Sequence, residues 1–303
     1  MIEDWASALS DPIGLRARGL LLAEGRLVLE RILAGAAGGV GSIIAVLAAP
    51  AAAHALDLEA RVGDRLVTRT PAEMESLTGF NFHRGVLALV RRPPETSVDD
   101  VIGDVMARRR DVAERATPVA DGGARSADRG SWISTPGARI AERDCSGRAA
   151  VLVVAEHLVD VDNVGSCFRN ARALGAACVL LDDRCPDPLY RKAIRTSLGA
   201  VLEVPWAQAP IRQILDRLRA AGVVTVGLTP DRDVATLRDE VSDGLDEGVP
   251  IALVVGNEGH GLSPEARGRC NHLARIPMAG DADSINVATA LAVALYECQV
   301  RRR

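Results

Sequence analysis

Five short aliphatic runs in the second half of the chain, Val151–Val154, Cys178–Leu181, Val223–Leu228, Ile251–Val255 and Ala274–Ile276, are separated by stretches of helical spacing. That alternation is the strongest constraint on the fold. Strands joined by helical crossovers lie parallel in one sheet, with helices on its faces. Helices are predicted over Val164–Leu174, Arg191–Thr196, Ile211–Ala220 and Asn286–Val300, with a short one starting at Leu262–Ala266. A further short strand is predicted at Leu202–Val204. In the closing helix Ala290, Leu291, Ala294 and Leu295 share one face, the spacing of a buried stripe.

The first 92 residues read as a smaller α/β domain. A helix is predicted within 12–34 from the spacing of Leu20, Leu21, Leu27, Leu29, Ile32 and Leu33, with another helical turn at His54–Leu58. Strands are predicted over Ser42–Leu47, Val62–Thr68 and Gly85–Val90. Pro71–Leu77 carries the start signals of a helix: Thr70 as cap, Pro71 at the first helical position and Glu73 at the capping-box position. Phe80 and Phe82, beside His83 and Arg84, fit a strand anchored to a core better than a platform for stacking bases. Residues 93–147 change character. Pro93-Pro94, the triplet Arg108-Arg109-Arg110 and a Gly, Ser, Ala and Asp-rich run at 118–131 describe a linker or insertion, with a short helix over Val98–Val112.

Composition narrows the class. Apolar residues make up 48% of 303 residues, enough for full cores, and aromatic residues only 3%. Lys192 is the sole lysine, so the basic side is nearly all arginine, the better fork for phosphate. A formal charge of −4 argues against a non-specific nucleic-acid coat, though not against local RNA contacts. Cys145, Cys167, Cys178, Cys185, Cys270 and Cys298 form no CxxC pair, and no zinc signature or disulfide framework emerges. Cys167 and Cys178 lie in apolar contexts and read as buried thiols. The N-terminus opens Ile2-Glu3-Asp4, unlike a signal peptide. The apolar run Ala34–Leu56 is broken by Gly38-Gly39, Gly41, Pro50 and His54 and reads as loop, strand and loop rather than as a membrane span. The expected setting is the reducing cytoplasm.

Three polar clusters end strands of the second domain. In the first, Asp162 and Asn163 precede Arg169, with Gly165 allowing close approach at the helix start. Free amides at such a start form an anion site, and strand ends in an open α/β sheet are where ligands bind. The second is Val255-Gly256-Asn257-Glu258-Gly259-His260-Gly261, where a turn alone would not require the Glu258 carboxylate. His260 has no Asp or Ser in nucleophilic order and reads as a loop histidine. The third runs from Ile276-Pro277-Met278 to Asp283-Ser284-Ile285-Asn286 at the last helix. No GxGxxG opens a βα turn and no GKS/T marks a P-loop, so dehydrogenase and NTPase readings lack their anchors.

EHLVDVDNVGSCFRNARALG, LVVGNEGHGLS and IPMAGDADSINVATALAVALYE, in that order, resemble the three motifs of the SpoU (TrmH-like) RNA ribose 2′-O-methyltransferases. The resemblance covers about residues 148–300. LLAEGRLVLERIL and GFNFHRGVLAL are more loosely similar to the L30e-like substrate-binding domain that precedes the catalytic domain in many members. The resemblance implies an α/β fold of the SPOUT type with a mostly parallel sheet and a C-terminal trefoil knot, a rare exception to unknotted topology. It implies S-adenosylmethionine as methyl donor, a homodimer, and structured RNA as partner, rRNA ahead of tRNA, with no metal and no membrane. By motif position it assigns catalysis to Asn163, Arg169, Glu258, Ser284 and Asn286. It places Thr229, Gly256, Asn257, Gly261, Ile276, Met278, Ser284 and Ile285 where the knot loops hold the cofactor. Ala288 stands where serine is common in the third motif, a mild departure.

A ribose 2′-hydroxyl attacking a methyl group must be placed, polarised and deprotonated as the new bond forms. Two roles stay open for Arg169: general base in an unusual environment, or clamp on the adjacent phosphate. A guanidinium normally keeps its charge, which favours the clamp. The alternative function is an RNA- or ribosome-binding protein that keeps the fold without catalysis. Retention of all five polar residues speaks for the enzyme.

Overall fold

The computed structural model describes Trp5 and residues 11–78, 85–116, 150–243, 248–280 and 284–301. Phe80, Phe82, His83, Arg84, Cys145, Asp283 and most of the expected linker lie outside the described residues. The N-terminal part comprises α1 (Pro12–Ala17), β1 (Leu20–Glu24), α2 (Arg26–Leu33), β2 (Ile43–Ala48), α3 (Pro50–Ala55), α4 (Leu58–Val62), β3 (Leu66–Thr68), α5 (Pro71–Thr78) and β4 (Val86–Arg91). Its sheet runs β1-β4-β2-β3, antiparallel but for the β2–β3 pair.

Two expectations fail here. The helix expected within 12–34 is interrupted by β1, because Leu20–Glu24 pairs with β4 along its whole length and buries Leu21, Leu22 and Ala23. A sheet edge to complete outweighs local helix propensity, which is a weak prior. The strand expected over Val62–Thr68 shrinks to three residues, since Leu58–Val62 is helical with Leu58 and Val62 in the core. The start of α5 is as expected: Glu73 accepts from the Thr70 amide at 2.7 Å, and the Thr70 hydroxyl accepts from the Glu73 amide at 3.3 Å.

The remainder comprises α6 (Val98–Ala116), β5 (Val151–Ala155), α7 (Val161–Ala173), β6 (Val179–Asp182), α8 (Arg191–Thr196), β7 (Trp206–Ala209), α9 (Ile211–Ala220), β8 (Val224–Leu228), α10 (Leu237–Asp243), β9 (Ile251–Val255), α11 (Pro264–Arg269), β10 (His272–Ala274) and α12 (Val287–Arg301). Six parallel strands form one sheet in the order β10-β8-β9-β5-β6-β7. No strand forms at Leu202–Val204: Leu202 ends a 3-10 turn, and Trp206–Ala209 makes the edge strand. Leu202 and Val204 are apolar because they plug the core.

Side chains of the central strands alternate between two cores, as period-2 geometry demands. Val151, Val153 and Ala155 of β5, with Ile251, Leu253 and Val255 of β9, face α7 and α12. Leu152, Val154, Ala252 and Val254 face α9 and α11. The helix α6 joins this second core through Val98, Val101, Ile102 and Val105. The first core continues without a break into the N-terminal sheet and its helix α2 through Val28, Ile32, Ala88 and Val90. Ion pairs also cross between the two sheets: Arg92 forks onto Asp187 at 2.8 and 3.0 Å, and Arg191 meets the buried Glu24 at 3.2 Å. No helix among the described residues is long and apolar enough to cross a membrane.

Burial pushes the Cys167, Cys178 and Cys185 thiols up to about 12, so they behave as core groups, not nucleophiles. Phe168 is fully buried on α7 and meets Trp206 edge to face, centroids 6.5 Å apart. Phe168→Ala is expected to lower stability by about 3–5 kcal/mol in urea unfolding, from the lost burial of the ring and the cavity it leaves.

Candidate active site

The order of strands fixes where a site forms. After β5 the chain turns to β6 on one side; after β9 it leaves for β10 on the other. The β5 and β9 connections therefore part at their C-terminal ends, the place where open α/β sheets bind ligands. Residues 156–163 leave β5 and residues 256–261 leave β9 at this point.

Glu258 ties these two loops together. Its carboxylate accepts from the Val159 amide at 3.0 Å, the Asp160 amide at 3.1 Å and the Asn163 side-chain amide at 2.9 Å. Asn163 is held from its other end as well, since its Oδ1 accepts from Asn286 at 2.9 Å. The Asn286 Oδ1 in turn accepts from the Ala288 and Thr289 amides and caps α12. One chain of hydrogen bonds thus joins the loops after β5 and β9 to the start of the last helix. Partial burial pushes the Glu258 carboxyl up, but donation from Asn163 and from the Glu258, Val159 and Asp160 amides outweighs it and holds the group below its usual range.

Asn257 shapes the turn beneath. Its Oδ1 accepts from the Gly259 and His260 amides at 2.9 and 3.0 Å, and its Nδ2 donates to the His157 carbonyl at 2.9 Å. His157 sits in the left-handed region with φ 47°, a strain of order 1–3 kcal/mol that Asn257 helps hold. Gly256 must be glycine: a Cβ there would lie 2.4 Å from the Gly261 carbonyl oxygen. His260 is exposed, as a loop histidine.

At the helix start, Asp160 caps α7 by accepting from the Asp162 amide at 2.9 Å. Asp162 accepts from the Thr196 hydroxyl at 2.7 Å and pairs with Lys192 at 2.9 Å. The bond from Thr196, then that from Lys192, hold the Asp162 carboxyl low, and Asp162 holds Lys192 high. Thr196 and Lys192 escaped the sequence reading, because nothing local marks their helix as a neighbour of this loop. Gly165 permits the approach: a Cβ there would meet the Ala193 carbonyl oxygen at 2.8 Å.

The other expected site residues scatter. Arg169 is exposed and outside the Glu258 network, and its side chain makes no hydrogen bond among the described residues. Ser284 is exposed beside Ile285, which is 40% exposed. Thr229 is buried at the end of β8, where its Oγ1 accepts from Arg267 at 3.1 Å. Gly261 has φ +67° in the β9 turn, and Ile276 and Met278 lie beyond β10, Ile276 half-buried. The loops after β8 and β10 are tied together: Thr236 bridges Arg275, and Arg232 donates to the Gly280 carbonyl at 2.9 Å.

The model of the SpoU rRNA methylase family matches residues 150–296. An uncharacterized tRNA/rRNA methyltransferase of Mycobacterium bovis is 33% identical over 288 residues, covering 92% of this chain and 81% of that one. The AdoMet-bound rRNA methyltransferase from Sinorhizobium meliloti superposes with a TM-score of 0.69 at 22% identity, over 97% of this chain and 92% of that chain. AviRb, a SpoU methyltransferase from Streptomyces viridochromogenes crystallised in complex with AdoMet, gives 0.67 at 21% identity, over 98% and 96%. The chain belongs to the SpoU family of RNA methyltransferases.

The lowered Glu258 carboxyl fixes the sign of a pH effect. Its ionised form contributes stability above the unfolded carboxylate value, roughly 4.3, and that contribution is lost as pH falls through the lower folded value. The gap in thermal midpoint between the wild type and Glu258→Gln is expected to be widest above about pH 5 and to close in acid. A gap that grows on acidification would contradict the assignment.

Proposed function

We propose that the protein transfers a methyl group from S-adenosylmethionine to a ribose 2′-hydroxyl of structured RNA, rRNA ahead of tRNA. The observation that carries the reading is the Glu258–Asn163–Asn286 chain, which draws the three motif segments together at one end of a parallel sheet. The residues fit the cofactor chemically. Gly256 and Gly261 keep the β9 turn free of side-chain bulk, while Ile276, Met278 and Ile285 offer apolar surface for an adenine ring on neighbouring loops. Thr229, Asn257 and Ser284 add polar groups to the same set of loops.

S-adenosylmethionine supplies, when bound, an electrophilic methyl group on a sulfonium. The chain's own residues place the nucleophile. Glu258 and Asn286 hold both ends of the Asn163 amide, so Asn163 and Asn286 are positioning residues with Glu258 behind them. Arg169 stays charged and clamps the phosphate next to the target ribose, the role its exposure suits. Ser284 steadies the loop into α12.

Residues 1–92 form an L30e-like RNA-binding domain, 93–147 connect it, and 148–303 form the catalytic domain, its last segment threaded as a trefoil knot. The ties between the β8 and β10 loops, with α12 returning beside α7, are what such a path would need. The enzyme works in the cytoplasm as a homodimer. Val293 and Tyr296 leave an apolar face on α12, 42% and 59% exposed, that a second copy would cover.

Mapping 2′-O-methyl sites in total RNA with and without the gene is expected to show one ribose losing its methyl group; an unchanged map overturns the reading. Arg169→Ala is expected to bind S-adenosylmethionine as the wild type does, by calorimetry, yet to lose roughly a hundredfold in transfer rate, on the order expected for a positioning clamp. Tyr296→Arg is expected to sediment as a monomer.

A further inference from the structure

We infer that Arg169 and Arg172, one turn apart on the outer face of α7 with Arg31 of α2 packed behind them, seat a backbone phosphate of the RNA. This inference rests on the RNA substrate proposed above and adds Arg172, with Glu203 and Arg31 behind it, to the phosphate clamp assigned there to Arg169.

Among the described residues, Arg31 and Arg172 both pair with one carboxylate, Glu203, and Arg169 pairs with none. Residues at i and i+3 on a helix are neighbours, so the Arg169 and Arg172 side chains leave α7 side by side. Arg31 approaches from the N-terminal part and is only 15% exposed. Burial holds its guanidinium below the usual range; Glu203 opposes the shift, and the charges of Arg172 and Arg169 add to it. Three cations therefore lie close together beside α7, and two of them share the one anion, Glu203.

The sharing is unequal. The Arg172 Nε holds Glu203 Oε2 closely, while the Arg31 Nη1 stands 3.5 Å from the same oxygen, buried and without a hydrogen bond. A buried guanidinium N–H without an acceptor is unfavourable. Arg172 is 38% exposed and is the member solvent-borne anions can reach. A phosphate that forks onto Arg172 and Arg169 draws Arg172 away, and Glu203 is then free to close on Arg31. Binding thus satisfies both the phosphate and the orphaned donor. Guanidinium groups suit this task because their planar fork matches phosphate oxygens.

Two substitutions with opposite expected effects test the seat. Binding of a fluorescein-labelled stem–loop RNA would be followed by anisotropy across a series of KCl concentrations. Arg172→Gln is expected to weaken binding about fivefold to tenfold at low salt and to reduce the slope of log K against log salt by about one phosphate contact. Glu203→Gln, which removes the competitor for Arg172 without changing its shape, is expected to tighten binding severalfold. Arg212→Gln, on the far side of the sheet, serves as the control with an unchanged slope. S-adenosylmethionine affinity and thermal midpoints of each variant show whether the fold is intact. If the wild type binds RNA and both variants match it, the seat is wrong while the enzyme reading stands. If Glu203→Gln weakens binding as Arg172→Gln does, Glu203 supports the fold and not the seat. If the wild type binds no RNA, the RNA reading itself fails.

Discussion

The site hangs on one carboxylate. Glu258 lies on a turn after β9, yet its partners Val159, Asp160 and Asn163 belong to the loop after β5 and the helix it enters. Backbone amides at the start of a helix have no partner within the helix, and an anion is the natural group to satisfy those facing outward. Glu258 supplies that anion in cis. It thereby stiffens the entry to α7 and orients Asn163, which relays the constraint to Asn286 and the cap of α12. Replacing this one group would release three segments at once.

The parallel sheet makes such an economy possible. Only at the point where successive crossovers part do two loops diverge to leave space above the strand ends. The strand order puts β5 and β9 side by side there, though 95 residues separate Asn163 from Glu258. The tight turn 256–261 fits because Gly256 carries no side chain, and Asn257 accepts from the Gly259 and His260 amides at one end while donating to the strained His157 at the other. Around this rigid centre the cationic groups stand outward. Arg169 and Arg172 occupy the exposed face of α7, and Arg31 of α2 shares Glu203 with Arg172. A modest negative charge is no obstacle to binding a polyanion where the contacts are local.

Much of this was legible in the residues. Ile211–Ala220 and Ile251–Val255 coincide with their expected bounds because each has a clean period and clear stops. The capping box at Thr70 and Glu73 is wholly local and needed no tertiary knowledge. The segment Leu20–Glu24 was misread as helix because its leucines satisfy either period, and only the unpaired edge of β4 decides between them. Leu202–Val204 failed for a related reason: an apolar triplet says buried, not strand.

The sequence by itself determined the α/β alternation, the three polar clusters at strand ends, and the residue types able to do the chemistry. Those depend on near neighbours in the chain, where 3.6 and 2.0 residue periods and turn chemistry operate. Tertiary structure alone decided which clusters meet. It placed Glu258 against Asn163, brought Thr196 and Lys192 to Asp162, left Arg169 outside the network, and set Arg31 beside Arg172. The reason is that strand order follows from how whole layers pack, and no local pattern encodes a contact between residues so far apart in the chain.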